Sequence, residues 1–280
     1  MRRISARVWA ALLAPAALAA AATGLLVLGG LARPAETPGA APAAAPAAPT
    51  RVVSMNLCTD QLAILIAGEG QLHSVSHLAG RPDASVLAEA AQAFAVNHGR
   101  AEEIFMMRPD LIIAGRYTTR ATVGMLQRLG FRVEEFAPAH SFDDIRANIR
   151  RMGALLGREA RAEALVAEFD QRLAEIDARA ADRRRLRVAL YFANNYTSGR
   201  GSLSDEALAA AGHDNIAAEL GVAGIGALPL ESLVMSDPDA VVGRVSPAEA
   251  PSLAYENYAH PALRATLGAD AVQDVPSKYW

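Results

Sequence analysis

The chain has 280 residues, 52% of them hydrophobic and 20% charged, enough apolar material for more than one folded lobe. A formal net charge of −3 excludes a nucleic-acid binder held by bulk charge. The one cysteine, Cys58, excludes an intrachain disulfide, which a large exported domain does not need.

Arg2, Arg3 and Arg7 precede an apolar stretch from Val8 to about Ala32, the basic and hydrophobic regions of an export signal. Gly30-Leu31-Ala32 offers a small-residue cleavage site, and Ala17-Leu18-Ala19 a poorer one. At roughly 20 residues or more, the stretch also suits an uncleaved membrane anchor. Losing the three arginines takes the formal charge from −3 to −6. No cysteine near residue 32 is available for lipid anchoring. Residues 33–50 are almost all Ala and Pro and read as a semi-extended linker.

From Arg51 onward, short apolar runs alternate with helical patterns. Strands are predicted at 51–55, 73–76, 111–114 and 132–136, and helices at 60–67, 85–94, 101–107 and 121–129, the last ended by Gly130. This alternation argues for a parallel sheet with helices on both faces. Two long helices follow, 141–156 and 158 to about 183, with only Gly157 between them and a Ser141/Asp144 capping pattern at the start. Leu155, Leu165, Val166, Phe169, Leu173 and Ile176 recur at helical spacing, and Arg183-Arg184-Arg185 follow where the helix dipole favours cations. The pair reads as a stiff connector packed across two lobes. The alternation resumes with strands at 187–192, 240–242 and 271–275, helices at 204–211 and 231–235, and an N-terminal helix signature at Ser246-Pro247-Ala248-Glu249.

Residues 102–113, Glu-Glu-Ile-Phe-Met-Met-Arg-Pro-Asp-Leu-Ile-Ile, match residues 231–242, Glu-Ser-Leu-Val-Met-Ser-Asp-Pro-Asp-Ala-Val-Val, without a gap at an offset of 129. Each copy reads as acid, short helix, Pro-Asp turn and apolar strand. The proline ends the helix because it disfavours helical geometry in the residue before it. A duplicated unit implies two similar lobes, and the cleft between lobes is where a ligand binds.

Residues 51–280 resemble the helical-backbone (class III) periplasmic binding proteins of ABC importers, which carry cobalamin, haem and ferric siderophores. The resemblance rests on Arg51-Val52-Val53-Ser54-Met55-Asn56-Leu57-Cys58-Thr59-Asp60-Gln61-Leu62, on Arg108-Pro109-Asp110-Leu111-Ile112-Ile113-Ala114-Gly115, on the helical connector, and on Leu228-Pro229-Leu230-Glu231-Ser232-Leu233. It implies an α/β fold of two Rossmann-like lobes joined by a long rigid helical connector, with the ligand cleft between them. The organisation expected is a signal or anchor at 1–32, linker 33–50, N-terminal lobe 51–138, connector 139–186 and C-terminal lobe 187–280. Family members usually continue past the final tryptophan into a closing helix, so the second lobe is expected to lack one. In this family one exposed acid per lobe docks onto arginines of the permease dimer, and Glu102 and Glu231 occupy those positions.

Ligand-lining loops are expected at the carboxyl ends of the strands. They present Asn56, Leu57, His77, Arg81, Arg116 and Tyr117 in the first lobe, and Asn195, Tyr196, Arg200, Arg244, Tyr279 and Trp280 in the second. Arginine pairs with carboxylates and rings stack on flat macrocycles or catechols. The set suggests a large, partly anionic ligand, tilted toward an iron complex. Cys58, on a strand-to-helix loop, reads as a small buried thiol rather than a nucleophile, for want of a neighbouring base. The six histidines are scattered; His73 and His77 are four apart in a predicted strand region, and Asn97-His98-Gly99 reads as a turn. No catalytic residue, resident metal or cofactor is expected. An exported receptor delivering an iron complex or cobalamin to an ABC permease is the reading, against a two-lobed enzyme using Cys58 or a metal, or a membrane-tethered ligand sensor.

Overall fold

A computed structural model describes residues 47–243, 260–267 and 272–279. The export signal, most of the linker, the Ser246–Glu249 helix start, Arg244 and Trp280 lie outside the described residues.

The first lobe is a parallel sheet of five strands: β1 (Val52–Ser54), β2 (Leu72–Ser76), β3 (Ala95–Asn97), β4 (Leu111–Gly115) and β5 (Val133–Phe136), in the order β3-β2-β1-β4-β5. Parallel strands need crossover connections, here supplied by α1 (Leu57–Ile66), α2 (Ala88–Ala91), α3 (Ala101–Met107) and α4 (Arg120–Arg128). Strand residues point alternately to the two faces. Val52, Leu111 and Ile113 thus pack in a core with Ile66, Met152 and Leu156, while Val53 and Ile112 face a second core with Ile104 and Leu126.

Two helices follow, α5 (Phe142–Leu156) and α6 (Glu159–Ala180). They do not form one straight spacer. Gly157 adopts a left-handed C-cap at φ 65° and turns the chain back on itself. Gly153 faces Ala162, Arg150 pairs with Glu163 at 2.8 Å, and Arg146 pairs with Asp170 at 2.7 Å, so the helices run antiparallel. Ile149, Met152, Leu156, Ala162 and Val166 join the first-lobe core, which makes this hairpin part of that lobe's packing. The connector reaches the second lobe at both ends of the hairpin's open side: the last turns of α6 meet Ala211 and His213, and the Phe142 N–H that opens α5 donates to Glu206 of the second lobe.

The second lobe holds a parallel sheet of β6 (Arg187–Tyr191), β8 (Asp214–Asn215), β10 (Ala240–Gly243) and β11 (Val272–Asp274), ordered β11-β10-β6-β8. Helices α7 (Leu203–Ala210), α8 (Ile216–Glu219), α9 (Leu230–Met235) and α10 (Pro261–Leu267) accompany it. A separate antiparallel pair, β7 (Tyr196–Ser198) with β9 (Ile225–Ala227), sits beside the sheet. Tyr191, Ile216, Leu228, Leu233 and Val241 form the core.

The duplicated sequence is duplicated in space. β1 pairs with β4 through Val52 and Leu111, and β6 pairs with β10 through Val188 and Ala240. In each lobe an arginine opens the neighbouring strand: Arg51 donates to the Met107 carbonyl and Arg187 to the Ser236 carbonyl, the equivalent position 129 residues on. In each lobe the Pro-Asp carboxylate accepts that arginine's backbone N–H, Asp110 at 3.0 Å and Asp239 at 2.8 Å. The residues before the prolines, Arg108 and Asp237, are left-handed at φ 50° and 47°. Both helices therefore stop by leaving right-handed geometry altogether, a conformation that costs non-glycine residues about 1–2 kcal/mol and is held by the clamp.

Candidate functional site

The carboxyl ends of the parallel strands carry the candidate residues, and the two edges meet. Ser277, in the turn after β11, donates its hydroxyl to the Asp83 carbonyl in the loop after β2 at 2.9 Å. This bond joins the carboxyl-edge loop of one sheet to that of the other.

In the first lobe Asn56 is half-buried and caps α1, accepting from the Cys58 N–H at 3.0 Å. The helix begins at Leu57, three residues before the predicted start, because this cap satisfies an otherwise orphaned donor. Leu57 is half-buried in its first turn. Below it, fully buried Asp60 accepts from the Ser76 backbone N–H and hydroxyl at the end of β2. Burial pushes the Asp60 carboxyl above the usual carboxylate range, and hydrogen bonds from Ser54 and Ser76 offset this only in part.

His77 follows Ser76. The β2–β3 register pairs Ser76 with Asn97, which sets His77 beside His98, and their rings stack at 5.4 Å and 16°. The His98 backbone donates to Glu103 at 2.8 Å, and its ring Nδ1 lies 3.3 Å from the same carboxylate. Burial opposes ionisation of Glu103, but these contacts outweigh it and hold its carboxyl below the usual range. Asn97 ends β3 and also makes the expected turn: it is buried, its amide donates to the Ser54 carbonyl and the Ser74 hydroxyl, and its side-chain oxygen accepts from the Gly99 N–H at 3.2 Å. The sequence reading missed His98 as an edge residue because the three-residue β3 went unrecognised; the exposed Ala95-Val96 gives no alternation to read.

The other predicted residues divide into two groups. Arg81 forms a two-point ion pair with Asp83, Asn195 accepts from the Tyr191 hydroxyl at 2.7 Å, and Arg200 donates to the Ala218 carbonyl at 3.2 Å. Like Asn56, these three make contacts within the protein. Arg116, Tyr117, Tyr196 and Tyr279 are exposed, Tyr117 to 71%. Arg116 forms no ion pair among the described residues. Arg244 and Trp280 lie outside them.

Cys58 is exposed, not buried as the sequence suggested. Desolvation by the atoms around the thiol and the nearby Asp60 carboxylate push its pKa up, against a hydrogen bond from its own backbone N–H. His73 lies at the opposite end of β2 from His77. Its imidazole accepts from Arg51 at 2.8 Å, and burial together with Arg51 lowers its pKa. The i,i+4 pair therefore does not converge. Among the described residues no group of three or more His, Cys, Asp or Glu could hold a metal ion. Among those residues, too, no helix is long and apolar enough to cross a membrane.

Residues 52–267 match the model of the family described as periplasmic binding protein. The chain belongs to that family. A curated relative, the cobalamin-binding protein of Halobacterium salinarum, is 32% identical over 206 residues, covering 71% of this chain and 54% of the relative. The chain thus spans about half the length of that relative. A solved periplasmic haem-binding protein from Pseudomonas aeruginosa is 25% identical, with a TM-score of 0.63 over 82% of this chain and 85% of its own. The periplasmic vitamin B12-binding protein of Vibrio cholerae has a TM-score of 0.60 and 22% identity over 82% of this chain and 89% of its own. The two-lobed α/β architecture of the periplasmic binding proteins is the architecture seen here.

Proposed function

We propose that this periplasmic binding protein captures cobalamin or an iron complex, a siderophore or haem, between its lobes and delivers it to an ABC permease. The observation that carries this reading is the meeting of two strand-edge surfaces, bonded through Ser277 and Asp83, with rings exposed along both. Such a seam suits a large, flat, partly apolar ligand. The tilt toward an anionic complex weakens, because, of the described candidate arginines, Arg81 and Arg200 are already engaged and Arg116 alone is left exposed without a side-chain bond. With a cobalamin-binding protein among the relatives, a corrinoid becomes the first choice. Haem is the second reading, favoured by the stacked imidazoles of His77 and His98 at the first-lobe edge.

Glu102 and Glu231 are exposed at equivalent places in the two copies and serve as the docking acids for a two-fold permease. The basic and apolar N-terminal segment is the export signal, cleaved or retained as an anchor. The raised thiol pKa of Cys58 argues against an enzyme built on that nucleophile. Titrating the purified protein with cyanocobalamin and, separately, with hemin tests the reading through tryptophan and tyrosine quenching. Saturable quenching with one ligand per chain, without turnover, is expected for one of the two. Quenching by neither, together with no response to ferric siderophores, rejects the receptor reading.

A further inference from the structure

Besides Glu102 and Glu231, the two duplicated helices share a second exposed feature. Met106 and Met235 occupy equivalent positions, 129 residues apart, and are exposed to 75% and 86%. A second equivalent apolar pair, Ile104 and Leu233, is fully buried. Each helix thus buries Ile104 or Leu233 and holds a methionine out in water, with Phe105 and Val234 between these extremes. Each methionine lies four residues after its glutamate, so in a helix the two share one face.

That face is held rigidly in both lobes. Two residues beyond each methionine stands the left-handed residue, Arg108 or Asp237, and the arginine clamp from the neighbouring strand grips the helix end. Strained backbone held in place twice is the kind of device retained where a side chain must be presented in one direction. In the first lobe the apolar face extends to Phe105, half exposed and edge-on to Phe131 at 5.8 Å.

We propose that Met106 and Met235 are the apolar anchors of the two docking feet, each entering a recess next to the cation that receives Glu102 or Glu231. The proposal rests on the docking reading above. The partner it fits is a two-fold membrane permease whose subunits each offer a guanidinium or ammonium group beside an apolar hollow. The paired arrangement asks for a two-fold partner, and the carboxylates ask for positive charge. The division of labour follows from the chemistry. Exposed charges steer encounter and set orientation. A desolvated apolar anchor at the centre of a contact governs how slowly it separates. The unbranched, polarisable thioether adapts to a hollow better than a branched side chain does, which suits two feet on lobes that are similar but not identical.

The test measures association and dissociation rates of the full-length protein on its own importer's permease complex in lipid nanodiscs. Met106→Ser with Met235→Ser should speed dissociation about tenfold or more and leave association nearly unchanged. Met106→Leu with Met235→Leu should stay close to the parent. Glu102→Gln with Glu231→Gln should instead slow association and flatten its salt dependence. Hydroxyl-radical footprinting should show both methionines protected from sulfoxide formation in the complex. Serine variants that dissociate like the parent, with both methionines still oxidised in the complex, overturn the proposal while the glutamate docking reading stands. Glutamate variants that leave both rates unchanged bring down the docking reading, and this proposal with it. Unchanged melting and ligand titration of the serine variants confirm that the effect lies at the docking surface.

Discussion

Asp60 is where one residue's chemistry most directly shapes the site, since it bonds Ser76, the residue before His77. Its carboxyl is raised by burial, so the folded protein prefers it protonated. Stability from this residue is therefore present at low pH and is lost as pH rises from the ordinary carboxylate value through the raised folded one. Asp60→Asn should raise the melting temperature at pH 7 and remove this decline, as followed by thermal unfolding across pH 4 to 8; a variant less stable at every pH contradicts it. Asp110 has the opposite sign. Burial opposes its ionisation, but hydrogen bonds from Thr50 and Arg51 prevail and lower its pKa. Its contribution is present above the ordinary carboxylate value and disappears as pH falls through the folded one. At the pocket, Arg116→Ala combined with Tyr117→Ala should weaken ligand binding about tenfold, since these exposed side chains form no hydrogen bond or ion pair among the described residues. Equal affinity in a calorimetric titration would remove them from the site. Polarity alone selected Asn56, Arg81, Asn195 and Arg200 together with Arg116 and Tyr117, because a residue that caps its own backbone and one that awaits a ligand look alike in sequence. Asn56 did carry a usable signal, an N-cap residue placed just before a helical run.

Among the elements, buried parallel strands were the most legible. Val52–Ser54, Leu111–Gly115 and Arg187–Tyr191 are apolar runs with β-branched residues and clear ends. Strands β3, β7, β8 and β9 were not, being two or three residues long, with β7 and β9 paired across an intervening stretch that holds two helices. Helix α2, expected at 85–94, is one turn at Ala88–Ala91, since alanine content without an apolar stripe does not define a helix length. The connector was legible as two helices but not as a hairpin; Gly157 reads equally as a hinge or a left-handed cap. Gly153 carries the close approach: a Cβ there would lie 2.4 Å from the Ala162 Cβ. Gly153→Val should therefore separate α5 from α6 and cost about 2–3 kcal/mol in urea unfolding, and an unchanged midpoint would deny the tight crossing. A Gly-Ser-Gly insertion after Gln171, in the part of α6 that leaves the hairpin, should loosen lobe orientation. It should weaken ligand binding and broaden the X-ray scattering profile, because preorganisation is lost. Unchanged affinity and scattering would show that α6 does not set the lobe geometry.

For the whole molecule, the 129-residue repeat foretold two lobes, and the structure adds how each copy is held. Arg51 with Asp110 and Arg187 with Asp239 lock helix, turn and two strands into the same unit. That reciprocity was not legible, because the arginines lie 52 and 59 residues from their aspartates and belong to no local pattern. In the first lobe α3 starts beside the carboxyl edge, where Glu103 meets His98, and in the second the residue two before α9, Leu228, donates to Asn195; the methionines lie at the helix ends, which the arginine clamps tie to the starts of β4 and β10. The central claim is that the seam between the lobes holds a tetrapyrrole or siderophore complex as cargo. Native mass spectrometry of the protein released gently from the cell envelope tests it most directly. The account predicts one adduct per chain with the mass of a corrinoid, haem or ferric siderophore, lost when Arg116 and Tyr117 are both replaced by alanine. A chain carrying only a bare metal ion, or an adduct unaffected by those replacements, would contradict it.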